Sequence, residues 1–320
     1  MKEDLFMVMV QIGRSNVFTR KLGLSTNKLS KYSLNTYVNL KKNNEIIKTA
    51  LDKGITYFDT SFNKKAGQSE KLISKIIKNY GRDKIIIAYK LRFESNSFSK
   101  QFENFETQNN ITKFLKKAIN QALKRLNTNY IDIIYLKGLN KKASIDEAIQ
   151  ALVQEKTTGK IKTIGVSNFS LEQVKKANKD NQINIIEEPY SLAFRDKGKI
   201  FFQYLKTHSI SFSPSFPLAF GLLTGKYDRS NWKSFSSHKF ATDKKKFNKI
   251  ISSLYQLKPI ARSHQASLRE IVLAWYINNP NISIVIPETK NISQVKENSY
   301  SLNINLSNDE FSYIDQLFPY

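Results

Sequence analysis

Apolar residues recur along the chain in short runs that alternate with amphipathic stretches, and this alternation predicts strands and helices in turn. The run KIIIAYKL at residues 84–91 is apolar almost throughout, which is typical of a parallel strand that is covered on both faces. The following segment, residues 110–126, has its apolar side chains at the spacing of an amphipathic helix; they are Ile111, Phe114, Leu115, Ala118, Ile119, Ala122, Leu123 and Leu126. This segment is the most clearly predicted helix of the chain.

Strand and helix patterns alternate along nearly the whole sequence. The predicted strands are residues 31–37, 55–61, 84–91, 130–137, 161–165, 183–190, 209–216 and 282–287. The predicted helices are residues 44–53, 69–77, 110–126, 145–154, the segment after Ser170, 199–206, 268–278 and 293–302. Strict alternation implies a parallel sheet, and eight strands in about 260 residues are the number of a closed (β/α)8 barrel. We expect an α/β protein, a (β/α)8 TIM barrel that forms one domain over residues 1–320, with a core of about 18–318 and an N-terminal extension at 1–17.

Residues 159–170, GKIKTIGVSNFS, form the best-defined strand-to-helix unit. The strand at 161–165 lies between two glycines, and Ser167 and Asn168 follow it, where short polar side chains can face a ligand. Ser170 with Gln173 forms the pattern of a capping box for the next helix. Two long connections, residues 92–109 and 228–242, also follow predicted strands, on the side where such barrels carry their active sites.

Composition narrows the class of protein and of partner. There is no cysteine, which excludes disulfides, thiolate metal sites and a thiol nucleophile, and no metal is expected. No apolar run approaches the roughly 18 residues of a spanning helix, and the N-terminus is a poor secretory signal, so we expect a cytoplasmic protein with no membrane partner. The net charge of +24 is typical of proteins that bind nucleic acids. The lysines are dispersed as pairs, however, which favours a solvated basic surface instead.

Five segments in this order resemble the aldo-keto reductases. They are GITYFDTS with the following Ser69 and Glu70, ALKRLNTNYIDIIYL, GKIKTIGVSNF, PLAFGLLTGKY, and IPETKNISQVKEN. The resemblance implies a barrel that binds NAD(P)H and interconverts a carbonyl and an alcohol. It also implies four catalytic side chains, which are an aspartate, a tyrosine as proton donor, a lysine and a histidine.

Only two of these four side chains are present. Asp59 and Lys90 match, whereas the tyrosine position is Lys64 and the histidine position is Lys137, so the resemblance is to a divergent member with a degenerate site. Two ammonium groups about 4 Å apart repel by about 4 kcal/mol at an effective dielectric constant of 20. Either Lys64 or Lys137 therefore has a lowered pKa and acts as an acid, a base or a Schiff-base amine, or the lysines hold a carboxylate or phosphate, or they point into water. His208, His238 and His264 read as surface residues.

Of the cofactor-binding positions that the resemblance implies, most carry a residue that fits the family and three do not. Those that fit a dinucleotide are Thr36, Ser167, Asn168, Leu218, Gly221, Leu223, Gly225, Lys226, Gln294, Glu297 and Asn298. Three positions depart from the family. Glu187 stands where an amide would hold the carboxamide, and Ser215 stands where an aromatic ring would stack, unless Phe216 supplies one. Glu288 replaces a lysine against the 2′-phosphate of NADPH, so we expect a preference for NADH unless Lys290 compensates.

Several functions remain open at this stage. The first is an NAD(P)H-linked oxidoreductase of altered mechanism that acts on a small carbonyl or anionic substrate. The alternative is a catalytically impaired relative that binds a nucleotide or anion in a regulatory role, or a lysine-dependent enzyme that is not a reductase. A nucleic-acid binder is the least favoured reading. The oligomeric state is not predicted.

Overall fold

The computed structural model describes residues 9–27, 29, 37–61, 67–92, 111–139, 144–236 and 243–319. The strands in this part are β1 Val10–Gln11, β2 Phe18–Thr19, β3 Gly23–Ser25, β4 Tyr57–Ser61, β5 Ile86–Arg92, β6 Ile131–Lys137, β7 Ile161–Ser167, β8 Ile183–Pro189 and β9 Ser211–Ser215. The helices are α1 Tyr37–Asp52, α2 Gln68–Tyr80, α3 Ile111–Leu126, α4 Ile145–Thr157, α5 Leu171–Ala177, α6 Asp196–Thr207, α7 Trp232–Ser236, α8 Lys244–Tyr255, α9 Lys258–Ser263, α10 Leu268–Asn278, α11 Ile292–Tyr300 and α12 Asn308–Leu317. Short 3₁₀ turns cover Ala219–Thr224, Arg229–Asn231 and Ser301–Asn303.

Strands β3 to β9 form one parallel, curled sheet of seven strands in chain order. The predicted eighth strand, residues 282–287, forms an isolated bridge between Leu22 and Val285 rather than a full ladder. Its backbone nevertheless contacts both edges of the sheet. The N–H of Ser283 donates to the carbonyl of Phe212 in β9 at 2.9 Å, and the N–H of Gly23 in β3 donates to the carbonyl of Val285 at 3.0 Å.

The prediction of a first strand at residues 31–37 is wrong at residue 37. Tyr37 begins helix α1, and residues 31–36 lie outside the described part. The strand that pairs with β4 is instead β3, whose Ser25 is opposite Asp59. Three residues are too few to show a period of two, so the sheet pairing rather than a local pattern defines this strand.

The clearly periodic segments have the predicted structure. All eight apolar residues predicted to face the core from α3 are buried, and α10 has the predicted bounds. Ser170 and Gln173 form the predicted capping box of α5, and Ser144 accepts a hydrogen bond from the N–H of Glu147 at the start of α4. Of the two long connections, 93–109 lies outside the described residues, and 228–242 contains one 3₁₀ turn and α7 before its undescribed end at 237–242.

The apolar core has two parts. The larger part lies between the sheet and the helices. The smaller part fills the concave side of the sheet and consists of Ile12, Val17, Tyr57, Ala88, Ile133, Tyr135, Ile185 and Ile284. Ile12 and Val17 come from the β1–β2 hairpin, where Gly13 donates its N–H to Ser211 Oγ at 2.9 Å at the amino end of β9. Residues before position 18 therefore contribute to the packed core.

None of the helices within the described ranges combines the length and the apolar character that crossing a membrane requires.

Candidate active site

The polar groups of the candidate site follow from the period of two along each strand. In β4 the interior residue Tyr57 is followed two positions later by Asp59, and in β5 Ala88 is followed by Lys90. The same spacing leads from Tyr135 to Lys137 in β6. Alternate side chains of a strand share one face, so these groups lie directly above the inner apolar core, at the carboxyl ends of the strands. Parallel barrels carry their chemistry at this end.

Lys90 lies between two carboxylates. Its Nζ is 2.8 Å from Asp59 Oδ1 and 2.5 Å from Glu187 Oε2, and all three residues are buried. Burial alone would lower the pKa of Lys90, but the attraction of Asp59 and Glu187 outweighs burial and raises this pKa above its ordinary value. Lys90 is therefore a fixed positive charge at neutral pH.

The two carboxylates around Lys90 are in different environments. Burial raises the pKa of Asp59, although Lys90 opposes this and Ser25 donates a hydrogen bond to Oδ2 at 3.2 Å. Burial also tends to raise the pKa of Glu187. The positive charges of Lys90 and Lys137 together outweigh burial and hold the pKa of this carboxyl below its ordinary value. Glu187 is therefore the better defined anion of the two.

Lys137, Ser167 and Glu187 lie side by side at the ends of three neighbouring strands. Lys137 in β6 is paired with Ser167 in β7, and Ser167 is paired with Glu187 in β8. The hydroxyl of Ser167 donates to Glu187 Oε1 at 3.1 Å. Burial lowers the pKa of the half-buried Lys137, and Lys90 and Arg92 lower it further, while Glu187 acts in the opposite direction. Lys137 is thus a cation that releases its proton more readily than an ordinary lysine.

Glu187 changes the charge balance that the sequence suggested. Three lysines around one aspartate were expected, but Glu187 adds a second carboxylate in direct contact with Lys90. Lys64 lies outside the described residues, so its expected place in the site is not tested. The signal for this second carboxylate in the sequence is the acidic residue at the end of the apolar segment INIIEEP. The resemblance to the family indicates only that Glu187 replaces an amide side chain there.

Two tyrosines lie beneath Lys90. The hydroxyls of Tyr57 and Tyr135 are 3.3 Å apart, and Lys90 Nζ is 5.8 Å from the centre of the Tyr135 ring. Gly165 makes room for this ring, because a Cβ there would be 2.9 Å from Tyr135 Cδ1. Both tyrosines are fully buried, and burial raises the pKa of each well above its ordinary value. Tyr135 is therefore a phenol near Lys90, but it is a weaker acid than a free tyrosine and is shielded from a substrate.

Further predicted cofactor positions lie at the end of β9 and on the segment that follows it. Ser215 Oγ is buried and has no hydrogen-bond partner among the described residues. Phe216, whose φ is 58°, stacks on Phe220 with the ring centres 4.5 Å apart. The remaining predicted positions follow in order, with Leu218 and Leu223 buried, Gly221 and Gly225 at φ 93° and 80°, and Lys226 exposed.

A third group of predicted positions surrounds α11. Asn298 is buried and donates from Nδ2 to Thr289 Oγ1 at 3.0 Å. Gln294 Oε1 accepts the backbone N–H of Lys290 at 2.8 Å, and Glu297 Oε1 accepts the hydroxyl of Ser293 at 2.9 Å. The side chain of Glu288 is exposed. Thr36, the last predicted cofactor position, lies outside the described residues.

Arg269 joins this third group and was not foreseen. It is buried in the first turn of α10 and donates from Nε to Asn298 Oδ1 at 3.0 Å. Its Nη2 donates to the backbone carbonyl of Glu288 at 3.4 Å. The sequence offered no signal for this role, because Arg269 precedes α11 by more than twenty residues.

The donor set fits a dinucleotide better than a metal ion. In the described ranges no cluster of three or more histidine, aspartate or glutamate side chains could hold a metal. Two groups are available to a dinucleotide. The buried hydroxyl of Ser215 lacks a hydrogen-bond partner among the described residues, and the amide of Asn168, whose φ is 59°, is exposed beside the sheet. Gly225 has a left-handed φ that suits close approach of its backbone to a phosphate. Ser167 is the exception, since it already donates to Glu187.

The histidines lie apart from these groups. His208 ends α6 and stacks on Tyr204 at 4.0 Å between ring centres. His264 follows α9 and is 3.0 Å from Glu310 Oε1. His238 lies outside the described residues. The two described histidines are consistent with the predicted surface role.

Comparison with known proteins identifies the family. Aldo-keto reductase YhdN of Bacillus subtilis (strain 168) is 30% identical over 247 residues, which are 76% of this chain and 73% of that protein. A probable voltage-gated potassium channel subunit beta of Arabidopsis thaliana is 26% identical over 305 residues, or 89% of this chain and 91% of that one. The structure of the glycerol dehydrogenase AKR11B4 from Gluconobacter oxydans superposes with a TM-score of 0.83 at 22% identity, covering 97% and 94% of the two chains. A sequence model of the aldo/keto reductase family matches residues 21–318, and the chain therefore belongs to this family.

Proposed function

We propose that the protein is an NAD(P)(H)-linked oxidoreductase that interconverts a small carbonyl compound and its alcohol at an altered active site. The observation that carries this proposal is the buried Lys90 between Asp59 and Glu187, at the carboxyl ends of the strands and beside Ser167. A fixed cation in a buried site stabilises negative charge that develops on a carbonyl oxygen. Family membership supports the reaction class.

The bound nicotinamide would supply the hydride that adds to the carbonyl carbon. The chain must then supply the proton for the carbonyl oxygen. Lys90 is a poor donor, because its two carboxylates raise its pKa. Lys137 is a better donor, because burial and neighbouring cations lower its pKa toward the range in which general acids work. We assign Lys137 as the proton donor. It is half-buried, so water can return the proton after each turnover.

The remaining residues of the site have supporting roles in this proposal. Asp59 and Glu187 hold Lys90 in place and keep it charged. Asn168 would hold the carboxamide of the nicotinamide through its exposed amide, and Ser215 would contact the ring. The segment with Gly221, Gly225 and Lys226 would hold the pyrophosphate.

Titration of the purified protein with NADH and NADPH, followed by nucleotide fluorescence, tests the proposal. We expect at least one of them to bind, and we expect the rate of carbonyl reduction to fall as the pH rises through the lowered pKa of Lys137. Lys137→His should move this fall to a lower pH, near the ordinary histidine value of about 6.5. Lys137→Ala should lower the rate by about 100-fold or more.

Two further variants complete this test. Lys206→Ala, an exposed lysine on α6, is the matched control and should leave the rate and its pH dependence unchanged. Lys64→Tyr combined with Lys137→His restores the residue types of the family and should raise the rate. Absence of binding by both nucleotides would refute the oxidoreductase proposal, and a pH profile that Lys137→His does not move would refute the role of Lys137.

A second candidate is a family member that binds a nucleotide without efficient reduction. The hydrogen bond from Ser167 to Glu187 favours it, because this hydroxyl is then not free for a carboxamide. The similarity to a protein described as a potassium channel subunit beta agrees with a non-enzymatic role. Nucleotide binding without turnover on any aldehyde or ketone, in wild type and in the double variant, is the result that would select this candidate.

We also propose that residues 1–320 form one domain, a closed (β/α)8 barrel with residues 282–287 as its eighth strand. The backbone hydrogen bonds of Ser283 to Phe212 and of Gly23 to Val285 support this, because they connect the segment to both edges of the seven-stranded sheet. The N–H of Val285 also donates to the carbonyl of Lys21 at 2.9 Å.

A further inference from the structure

Glu188 is a buried carboxylate on the outer face of β8. It lies two positions after the core residue Ile186, so these two side chains share the face that packs against the helices and point away from Glu187. Its Oε1 accepts the backbone N–H of Phe169 at 2.6 Å, and its Oε2 is 3.5 Å from Nζ of Lys197 on α6. An apolar side chain would fill a buried position of this kind at a lower cost in free energy, so packing alone does not explain the carboxylate.

The N–H that Glu188 accepts belongs to the turn between β7 and α5. Three successive backbone N–H groups of this turn have an acceptor: Asn168 donates to the carbonyl of Glu187 at 3.3 Å, Phe169 donates to Glu188, and Ser170 donates to Gln173 Oε1 at 2.8 Å. The bond from Phe169 is the shortest of the three, and it is the one that a side chain of β8 accepts. Glu188 therefore connects the middle of the turn to the neighbouring strand.

Asn168 has a backbone conformation that depends on such connections. Its φ is 59°, in the left-handed region that few residues other than glycine adopt, although asparagine tolerates it best. The side chain of Asn168 is exposed, whereas the next residue, Phe169, is buried in the core. Without Glu188 the buried N–H of Phe169 would lack its acceptor, and the turn could relax away from the left-handed conformation. The direction of the Asn168 amide therefore depends on Glu188.

We propose that Glu188 is a positioning residue that fixes the turn at Asn168 and so holds the amide of Asn168 in the orientation that binds the nicotinamide carboxamide. This inference rests on the proposed function, in which Asn168 contacts that group. Glu188 lies on the helix side of the sheet, so it contacts neither the nucleotide nor the substrate. Its removal should therefore weaken only the nicotinamide end of the nucleotide.

Binding measurements on the intact protein test this selectivity without any need for turnover. The dinucleotide that wild type binds more tightly, NADH or NADPH, is compared by calorimetry with the fragment that lacks its nicotinamide, which is ADP-ribose or the 2′-phosphate of ADP-ribose. Glu188→Met removes the acceptor and keeps a long side chain, whereas Glu188→Gln keeps an acceptor oxygen. Thermal melting of each variant shows whether it is folded.

Asn178→Ala is the matched control. Asn178 is also buried, and its Oδ1 accepts the backbone N–H of Ile183 at 3.0 Å at the opposite end of β8. Its replacement removes a comparable hydrogen bond far along the strand from Asn168. We expect this control to be less stable than wild type and to bind both the dinucleotide and the fragment within about twofold of the wild-type affinity.

The expected loss is confined to one variant and one ligand. Glu188→Met should weaken the dinucleotide by about 5- to 10-fold and leave the fragment within about twofold. Glu188→Gln should recover most of the lost affinity, because its oxygen can still accept the N–H of Phe169. If Glu188→Met does not fold, Glu188→Ala provides the comparison, since a water can pair with this N–H without tying it to β8.

A double-variant cycle with Asn168→Gly separates positioning from a general effect on binding. Glycine removes the amide and tolerates the left-handed φ. Asn168→Gly alone should cause a similar selective loss, and the addition of Glu188→Met should weaken the dinucleotide by no more than about twofold further, because both changes act on the same contact. Losses that multiply in the double variant would contradict a role of Glu188 through Asn168.

Other outcomes would also overturn the proposal. Equal losses of dinucleotide and fragment in Glu188→Met, or a selective loss in Asn178→Ala, would mean that Glu188 is only structural. Unchanged affinity for both ligands in Glu188→Met would mean that the turn does not need its carboxylate. Wild type that binds the dinucleotide no more tightly than the fragment would refute this inference and leave nucleotide binding intact, whereas failure to bind any of these nucleotides would refute the proposed function as well.

Discussion

Lys90 shows how burial and pairing act in opposite directions on one side chain. Burial disfavours its charge, and two carboxylates restore it. Burial raises the pKa of Asp59, whereas at Glu187 the positive charges of Lys90 and Lys137 together outweigh burial and lower the pKa. At Lys137 burial is the largest influence, and Lys90 and Arg92 add to it against the carboxylates of Glu187 and Asp59, so its pKa moves down instead. Similar lysines thus differ, through their surroundings alone, in how readily they release a proton.

Removal of the Glu187 charge should destabilise the protein only where that charge exists. We expect Glu187→Gln to lower the unfolding free energy at pH 7 by about 1–3 kcal/mol, since Lys90 loses one partner but keeps Asp59. The folded-state pKa of Glu187 is lowered, so its stabilisation is present above the unfolded value of about 4.3 and is lost as the pH falls through the folded value. Denaturant unfolding of wild type and variant at pH 7 measures the loss of stability, and the same measurement at pH 3 shows how much of that loss disappears at acidic pH.

Glu297→Gln is the matched control for this measurement. The Glu297 side chain is 39% exposed and lies 3.8 Å from Arg269, so its replacement should change the unfolding free energy by about 0.5 kcal/mol or less. A Glu187→Gln protein as stable as wild type at pH 7, or a deficit that persists unchanged at pH 3, would contradict the ion pair with Lys90.

At the residue scale, the sequence predicted which residues form the candidate site better than it predicted the contacts between them. Asp59, Lys90, Lys137 and Ser167 were predicted from the resemblance to the family, and the structure places them at neighbouring strand ends together with Glu187. The ion pair between Lys90 and Glu187 joins β5 and β8, which are separated by two strands in the sheet. Such a contact depends on the curvature of the sheet, and no local spacing in the sequence encodes it. Arg269 was missed for the same reason.

At the element scale, the predictions succeeded where a local signal was strong. Helix α3 has a complete apolar stripe, and α10 begins at a capping box and ends at the predicted residue. Strand β3 has no such signal, because its three residues are held by pairing with β4 and by the hydrogen bond from Thr26 N–H to the carbonyl of Asp59 at 2.9 Å. Residues 282–287 were predicted as a strand but form only one bridge.

The capping box of α5 fixes the turn that carries Asn168. Helix α5 has only seven residues, and short helices depend on their caps because few internal bonds stabilise them. We expect Ser170→Ala to lower the unfolding free energy by about 1 kcal/mol and to weaken nucleotide binding, since the turn at Asn168 loses its anchor. Chemical denaturation and NADPH titration measure the two effects.

Ser144→Ala is the comparison for the cap of α5. Ser144 caps the 13-residue α4 by accepting a hydrogen bond from the N–H of Glu147. This variant should lose about as much stability, on the order of 1 kcal/mol, without a change in nucleotide affinity. If both variants bind nucleotide equally well, the cap of α5 has no role in positioning Asn168.

At the scale of the whole molecule, charge is the dominant feature. The chain has 51 lysines and arginines but 27 acidic residues, so many cations can have no acidic partner. Many ion pairs that do form, such as those of Asp132, Glu70 and Glu187, use buried carboxylates, which removes these acids from the surface. The exposed surface is thus even more one-sided than the net charge of +24 suggests.

This excess of positive charge makes stability depend on salt in a defined direction. Mutual repulsion of surface lysines destabilises the folded state, and added salt shortens the range of that repulsion from about 30 Å at 0.01 M to about 10 Å at 0.1 M. We expect the melting temperature at pH 7 to rise by about 2–4 °C, or roughly 1 kcal/mol, between 0.01 and 0.3 M NaCl. KCl should give the same rise, because screening depends on ionic strength and not on the cation. A melting temperature that stays constant or falls would mean that salt weakens the ion pairs more than it relieves the repulsion between lysines.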